Sequence, residues 1–165
     1  DQGIRGLVLD MRGNPGGSLG SAARIASEFL SDGIVMYEIS NGGEREDWAV
    51  RDGGLAPELP LVVIVNGGSA SAAEIVAGAL QAHGRARLFG SRTYGKGSVQ
   101  TFRELSDGSA LYLTIARWYT PDGQVIQDRG IAPDVSIPLL RRSTADVPLV
   151  VAYTELLGMV GSIGE

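Results

Sequence analysis

The chain has no cysteine, one histidine and one lysine in 165 residues. The absence of cysteine excludes disulfides, thiolate catalysis and cysteine-ligated metal, and says nothing of the compartment. With His83 alone and no clustered His/Asp/Glu spacing, no ligand set for a catalytic metal is expected, and no cofactor motif is present. The formal net charge is -5 and no run of Lys/Arg interrupts it, which argues against a nucleic-acid or anionic-membrane surface. No apolar stretch approaches the roughly 18 residues of a membrane span. The chain opens on Asp1 rather than Met and enters an apolar strand within four residues, with no signal peptide. It reads as one domain, residues 1–165, cut from a longer protein.

Strand and helix patterns alternate, which predicts an α/β fold. Ile4 to Asp10 is an apolar run ending at the turn Gly13-Asn14-Pro15-Gly16-Gly17, as in a buried parallel strand. Leu19, Ala22, Ala23, Ala26, Phe29 and Leu30 come next at helical spacing behind Ser18, a natural N-cap. Gly33 to Ser40 and Glu44 to Val50 predict a hairpin around Asn41-Gly42-Gly43. Leu61 to Val65 is a second buried strand, followed by a helix with Ala72, Ile75, Val76, Ala79 and Leu80 on its apolar side. Arg87-Leu88-Phe89 is a short strand, and Ser98 to Glu104 and Ser109 to Tyr119 flank a turn at Ser106-Asp107-Gly108. Leu149, Ala152, Tyr153, Leu156 and Leu157 predict one apolar face on a last helix.

Two Gly-rich segments each present one reactive side chain: Ser71 in Asn66 to Glu74, and Lys96 in Gly90 to Gln100. A serine hydroxyl needs a positioned base to become a nucleophile. His83 lies twelve residues after Ser71 on the same predicted helix, roughly 18 Å away at about 1.5 Å per residue, so it cannot be that base. It reads as a helix-end residue beside Gly84, favoured there by the dipole. Lys96 is the remaining candidate. Ligands in open α/β sheets bind beyond the carboxyl ends of the strands, so Gly16-Gly17 and Ser71 should line one edge. Unpaired N–H groups at that helix start suit an oxyanion, one from Ala72 and another from Gly16 or Gly17.

Plainer readings compete. Ser71-Ala72-Ala73-Glu74 is also a capping box, Lys96 could be a solvated charge, and Ser69 rivals Ser71 on spacing alone. Gly90-x4-Gly95-Lys96 mimics a phosphate-binding loop, but Gly97 stands where a Ser or Thr must hold magnesium. Val99-Gln100-Thr101-Phe102 behind it reads as strand, not as the helix whose N-terminus would bind phosphate.

Five ordered blocks resemble the carboxyl-terminal processing peptidases, also called tail-specific proteases. They are Asp10 to Gly17, Asn66 to Ile75, Thr93 to Gln100, Thr120 to Gly123 and Ile126 to Asp134. The resemblance implies Ser71 as nucleophile, Lys96 as general base 25 positions later, and Gln100 as the base's support. It therefore favours Ser71 over Ser69. Ala73, Tyr94 and Ser91 depart mildly from the family pattern. The resemblance also implies a crotonase-like core, shared with Clp-type proteases, in which a mixed sheet is flanked by helices. A PDZ domain and further N-terminal elements would precede it, and the site would lie outside the bacterial cytoplasm or in the thylakoid lumen. Protein substrates with apolar C-terminal tails are the implied partners, and a homo-oligomer or a regulatory adaptor is compatible with it.

A lysine amine is neutral near pH 7 only when its surroundings lower its pKa by about three units, so this chemistry demands a buried Lys96. Two other classes use the same scaffold. A crotonase-like acyl-CoA enzyme would need a carboxylate base and a basic nucleotide anchor, neither evident here. A silent scaffold or a resting form would keep the fold with its dyad apart. Strand edges left unpaired and apolar surface left bare would favour self-association of this piece by itself.

Overall fold

Leu61-Val62-Val63-Ile64-Val65 has no polar residue to offer solvent, and all five positions are buried. That strand is the spine of the computed structural model, which describes residues 3–138 and 145–162. In chain order the elements are β1 (Leu7–Asp10), α1 (Leu19–Ser27), β2 (Ile34–Ser40), β3 (Arg45–Ala49), β4 (Leu61–Val65) and α2 (Ala72–Ala82). After these come β5 (Arg87–Gly90), β6 (Ser98–Glu104), β7 (Ala110–Tyr119), β8 (Val135–Ser136) and α3 (Val147–Ser162). Parallel and antiparallel strands segregate. β1-β4-β5-β8 form a parallel sheet and β3-β2-β7-β6 an antiparallel one.

Strand alternation divides the core. Val62 and Ile64 of β4 pack with Phe89, Ile137, Ala152 and Leu156 under α3. Leu61, Val63 and Val65 face the opposite way, into a larger cluster with Ile75, Val76, Ala79 and Leu80 of α2. The same cluster holds Val35, Met36 and Trp118 of the antiparallel sheet. Helix α2 is therefore enclosed, and every residue from Ala72 to Leu80 is buried. An apolar helix without a polar face is stable only in such a sandwich.

The expected α/β architecture holds, with three differences in detail. β1 starts at Leu7 rather than Ile4, because its partner β4 starts at Leu61 and the preceding carbonyl of Pro60 accepts the Leu7 N–H at 2.8 Å. The two-residue β8 was not anticipated; it pairs Val135 and Ser136 with Phe89 and Gly90. On α3 only Ala152 and Leu156 of the five expected positions are buried, while Leu149, Tyr153 and Leu157 are 39%, 52% and 52% exposed. At about 100° per residue, Tyr153 and Leu157 lie well round the helix from the Ala152–Leu156 line that meets the sheet.

The outer half of β7 is open as well. β2 pairs only with Ala116 to Tyr119, so within the sheet residues 110–114 pair with β6 alone, and residues 110–115 are exposed, with Asn41 donating to the carbonyls of Thr114 and Ile115 at 2.7 and 2.9 Å. Phe102 and Tyr112 meet edge to face at 5.3 Å on this projecting ribbon. At the other end of the molecule, Arg12 forks between Asp10 and Asp146 at 2.6 and 2.7 Å, tying the end of β1 to the start of α3. The guanidinium's hydrogen bonds lower the pKa of both carboxyls, and theirs raise its own.

Glu38 is the acid most at odds with its place. It sits in the sheet between Glu46 and Trp118. Burial first, then the Glu46 carboxylate, raises its pKa above the ordinary 4.5. The indoles of Trp48 and Trp118 pull it back, yet neither Nε1 closes a hydrogen bond of normal geometry with the buried Oε2. A folded carboxyl that keeps its proton to higher pH than the unfolded one makes the folded state the stronger proton binder between the two values. Stability then falls as pH rises through that window, beginning near 4.5. Glu38→Gln should therefore raise the melting temperature at pH 7.5, with the gain vanishing by about pH 4. Calorimetry at both pH values checks this, and unchanged melting at pH 7.5 would refute it.

Candidate functional site

Strands β1 and β4 run parallel, so the loops after them leave the sheet side by side. Short hydrogen bonds lace the two together. Ala70 N–H donates to the Asn14 carbonyl at 2.9 Å, and Asn66 Oδ1 accepts from the N–H groups of Gly13 and Gly68 at 3.0 and 2.9 Å. Ser69 is part of this lacing. Its fully buried hydroxyl donates to the Met11 carbonyl at 2.8 Å and accepts from Asn66 N–H at 3.0 Å. Its proton and one of its two lone pairs are engaged in a fully buried position, which keeps Ser69 from being presented to a substrate.

Ser71 is buried as well but differs in backbone and bonding. It occupies the N-cap position of α2 with φ +56° and ψ −122°, a region sparsely populated by non-glycine residues and typical of sharp strand-to-helix elbows. Its N–H donates to Glu74 Oε2 at 2.9 Å, so the glutamate half of the capping box is formed. The Ser71 side chain stands toward the Glu74 N–H as in a capping box, but its hydroxyl closes no capping hydrogen bond of normal geometry. Strain of this kind costs about 1–3 kcal/mol and persists only where the surroundings enforce it.

Those surroundings include Gly16. At φ +107°, a Cβ there would fall 2.8 Å from Ala70 O and from Ser71 Cβ, and 3.0 Å from Ala72 N. The glycine loop thus presses directly on the elbow. Of the two glycines left open by the sequence, Gly16 gives its N–H to Asn14 Oδ1 at 2.9 Å, whereas the N–H groups of Gly17 and Ala72 have no acceptor among the described residues.

Glu74 joins this elbow to Lys96. The carboxylate is fully buried and accepts four hydrogen bonds. Oε1 takes Thr93 Oγ1–H at 2.5 Å and Gly95 N–H at 2.7 Å, while Oε2 takes Lys96 N–H at 2.8 Å beside the Ser71 N–H. The backbones of Ser71 and Lys96 therefore share one oxygen atom, and their nitrogens are no farther apart than those two bonds laid end to end. The sequence offered Glu74 only as a capping residue; its reach to the second segment had no local signal. The glycines flanking Lys96 have a steric reason, since a Cβ at Gly95 or Gly97 would meet Gly130 N at 3.0 Å or Gln127 N at 2.4 Å. Strand β6 begins at Ser98, where a phosphate-binding loop would open a helix, and this removes the phosphate-loop reading.

Two side chains depart from expectation. Lys96 is exposed rather than buried, and its ammonium has no hydrogen bond or ion pair with a described residue. The physical reason is that the Gly-Lys-Gly turn leads into the edge strand β6 with its two glycines buried, while no described residue covers the Lys96 side chain. Gln100 is exposed too, with no side-chain bond to a described residue. Val99 and Gln100 pair with Ala116 and Thr114, so the extra residue of the bulge beside Gln100 is Ile115 of β7. His83 caps the far end of α2, where its Nε2 lies 2.8 Å from the Ile34 carbonyl. Among the described residues, no group of three or more His, Cys, Asp or Glu is placed to hold a metal.

Known proteins are similar to this chain in sequence and in fold. The model of peptidase family S41 matches residues 1–137. A probable CtpA-like serine protease of Staphylococcus epidermidis is 44% identical over 138 residues, covering 82% of this chain and 28% of the relative. A carboxyl-terminal-processing protease of Synechocystis is 41% identical over 162 residues, covering 97% of this chain and 38% of the relative. The solved photosystem II D1 C-terminal processing protease superposes with a TM-score of 0.78 at 40% identity, covering 82% of this chain and 35% of that one. The tricorn protease, at 21% identity and a TM-score of 0.62 over 15% of its length, shares the fold. The chain spans about a third of the length of the curated relatives it matches.

The two serines should separate experimentally. Ser69→Ala removes the partner of the buried Asn66 N–H and should lower stability by about 1–3 kcal/mol in denaturant melts, while Ser71 stays reactive. Gly16→Ala should strain the loop through φ and clash together, and so blunt the reactivity of Ser71. A Ser69→Ala protein as stable as the parent would contradict the lacing role.

Proposed function

The chain belongs to peptidase family S41, and on that premise we propose that it is the catalytic core of a serine endopeptidase cutting protein substrates near their C-termini. Ser71 is the nucleophile and Lys96 its general base. The observation that carries this is the pair of bonds on Glu74 Oε2, which brings a strained serine with an uncommitted hydroxyl beside the turn bearing the sole lysine.

Neutral Lys96 takes the Ser71 proton as Oγ attacks the peptide carbonyl. The oxyanion is held by the N–H groups of Ala72 and Gly17, with Gly16 lending close approach rather than a donor; one such donor contributes about 3 kcal/mol to the transition state. Lys96 returns the proton to the leaving amine, then activates the water that releases the acyl-enzyme. Gln100 orients the lysine once the site is covered. Glu74 cannot act as the carboxylate base of an acyl-CoA enzyme, because it is fully buried and saturated by donors.

The exposed Lys96 favours a resting arrangement for residues 1–165 on their own. A lysine base works where water is excluded, so the active state needs a cover over Lys96, supplied by substrate or by the rest of the longer protein. An upstream PDZ domain that captures a substrate's terminal carboxylate by strand addition fits this division of labour, as does work outside the cytoplasm.

In the full-length protein, Ser71→Ala and Lys96→Ala should each abolish cleavage of an unstructured protein with an apolar C-terminus. Lys96→Arg should be equally dead, since guanidinium does not deprotonate. Turnover should rise with pH as the lysine loses its proton, and a flat rate between about pH 6 and 9 would exclude it as the base. A fluorophosphonate should label Ser71 in the full-length protein far faster than in residues 1–165, and equal labelling and turnover would overturn the resting reading.

A further inference from the structure

All three backbone N–H groups of Gly95-Lys96-Gly97 donate to side chains instead of to backbone carbonyls. Gly95 and Lys96 use Glu74, and Gly97 N–H donates to Gln127 Oε1 at 3.0 Å. The N–H side of the turn is therefore registered by side-chain acceptors, while its carbonyls are held by backbone donors, Gly97 O by the Trp118 N–H and Gly95 O by the Asp128 N–H, each at 2.8 Å. Thr93 sets one of the side-chain acceptors. Its buried hydroxyl donates to Glu74 Oε1 at 2.5 Å and accepts Ile131 N–H at 2.7 Å, and Thr93 N–H returns to the Ile131 carbonyl at 3.1 Å. Asp128 N–H donates to Gly95 O at 2.8 Å, from a residue itself held at φ +60°. The segment 126–131 thus lies against the turn like a template, touching it at Thr93, Gly95 and Gly97.

We propose that Thr93 and Gln127 are positioning residues for Lys96, through which the 126–131 segment fixes where the lysine's backbone stands relative to Ser71. Neither side chain contacts the reacting atoms. Thr93 orients the Glu74 carboxylate whose other oxygen is shared by Ser71 and Lys96, and Gln127 anchors the far side of the same turn. The proposal rests on the Ser71–Lys96 reading. A base displaced by about 1 Å can cost on the order of 100-fold in rate while substrate binding persists.

The test uses the full-length enzyme with Thr93→Val, Thr93→Ser, Gln127→Met and Gln127→Glu beside Lys96→Ala. Valine and methionine keep volume and remove the hydrogen bonds; serine keeps the hydroxyl and glutamate keeps the acceptor. Expected are losses of about 10- to 100-fold in kcat for Thr93→Val and Gln127→Met, with KM little changed and the rise of kcat with pH displaced. Thr93→Ser and Gln127→Glu should recover most of kcat at the plateau of the pH profile. Should Thr93→Val fail to fold, half-buried Gln127 decides. A Gln127→Met enzyme with parental kcat and pH profile, or losses that the conservative variants do not restore, overturns the proposal alone. An active Lys96→Ala enzyme overturns it together with the dyad.

Discussion

A carboxylate taken wholly out of water, with no ion pair to a described residue, is the constraint on which this site depends. Burying an unpaired charge costs several kcal/mol after relaxation, and Glu74 offsets that with four donors from two separate stretches of the chain. Every one of those donors must be delivered to a fixed place, so the elbow at Ser71 and the loop from Thr93 to Lys96 are positioned by the same requirement. The strain at Ser71 is tolerable for this reason. Its N–H is one of the bonds that keep Glu74 satisfied, and relaxing the elbow would leave the carboxylate one donor short.

Glycine does the complementary work of letting backbones approach. Gly16 presses against the elbow, and Gly95 and Gly97 bring the lysine turn against 126–131. Side chains at these positions would push apart the elements that Glu74 draws together. The Gly-Lys-Gly context, which marks Lys96 as unusual in the sequence, is therefore a packing signature of the loop opposite and only indirectly a chemical one.

Elements with a strong local pattern were legible in the sequence. Leu61–Val65, the β2–β3 hairpin around Asn41-Gly42-Gly43 and helix α2 could be read because periodicity and turn chemistry fix them. That the Gly16-Gly17 loop and Ser71 lie side by side was readable from the strand-end rule, whereas the pairing of Lys96 with Ser71 came from the family resemblance. Glu74 was visible as a cap but not as a hub, because three of its four donors come from 19 or more residues away, on a loop whose course depends on Glu74 itself. The difference between Gly16 and Gly17 turned on one Asn14 side-chain bond. β8 was invisible because two residues carry no period, and the face of α3 was misjudged because a 16-residue helix with little charge offers several apolar lines.

The burial of Lys96 failed for a different reason, and the failure is informative. A lysine base needs a dry environment at the moment of reaction, whereas the described residues fix only where its backbone stands. The backbone is over-determined, with every N–H of its turn bonded to a side chain, while the exposed ammonium has no partner among the described residues. On the proposed reading, a turn held this rigidly carries a base that becomes competent when something excludes water from it. Rigid placement combined with conditional desolvation would keep a protease core inert until it is covered, and would do so without moving the nucleophile.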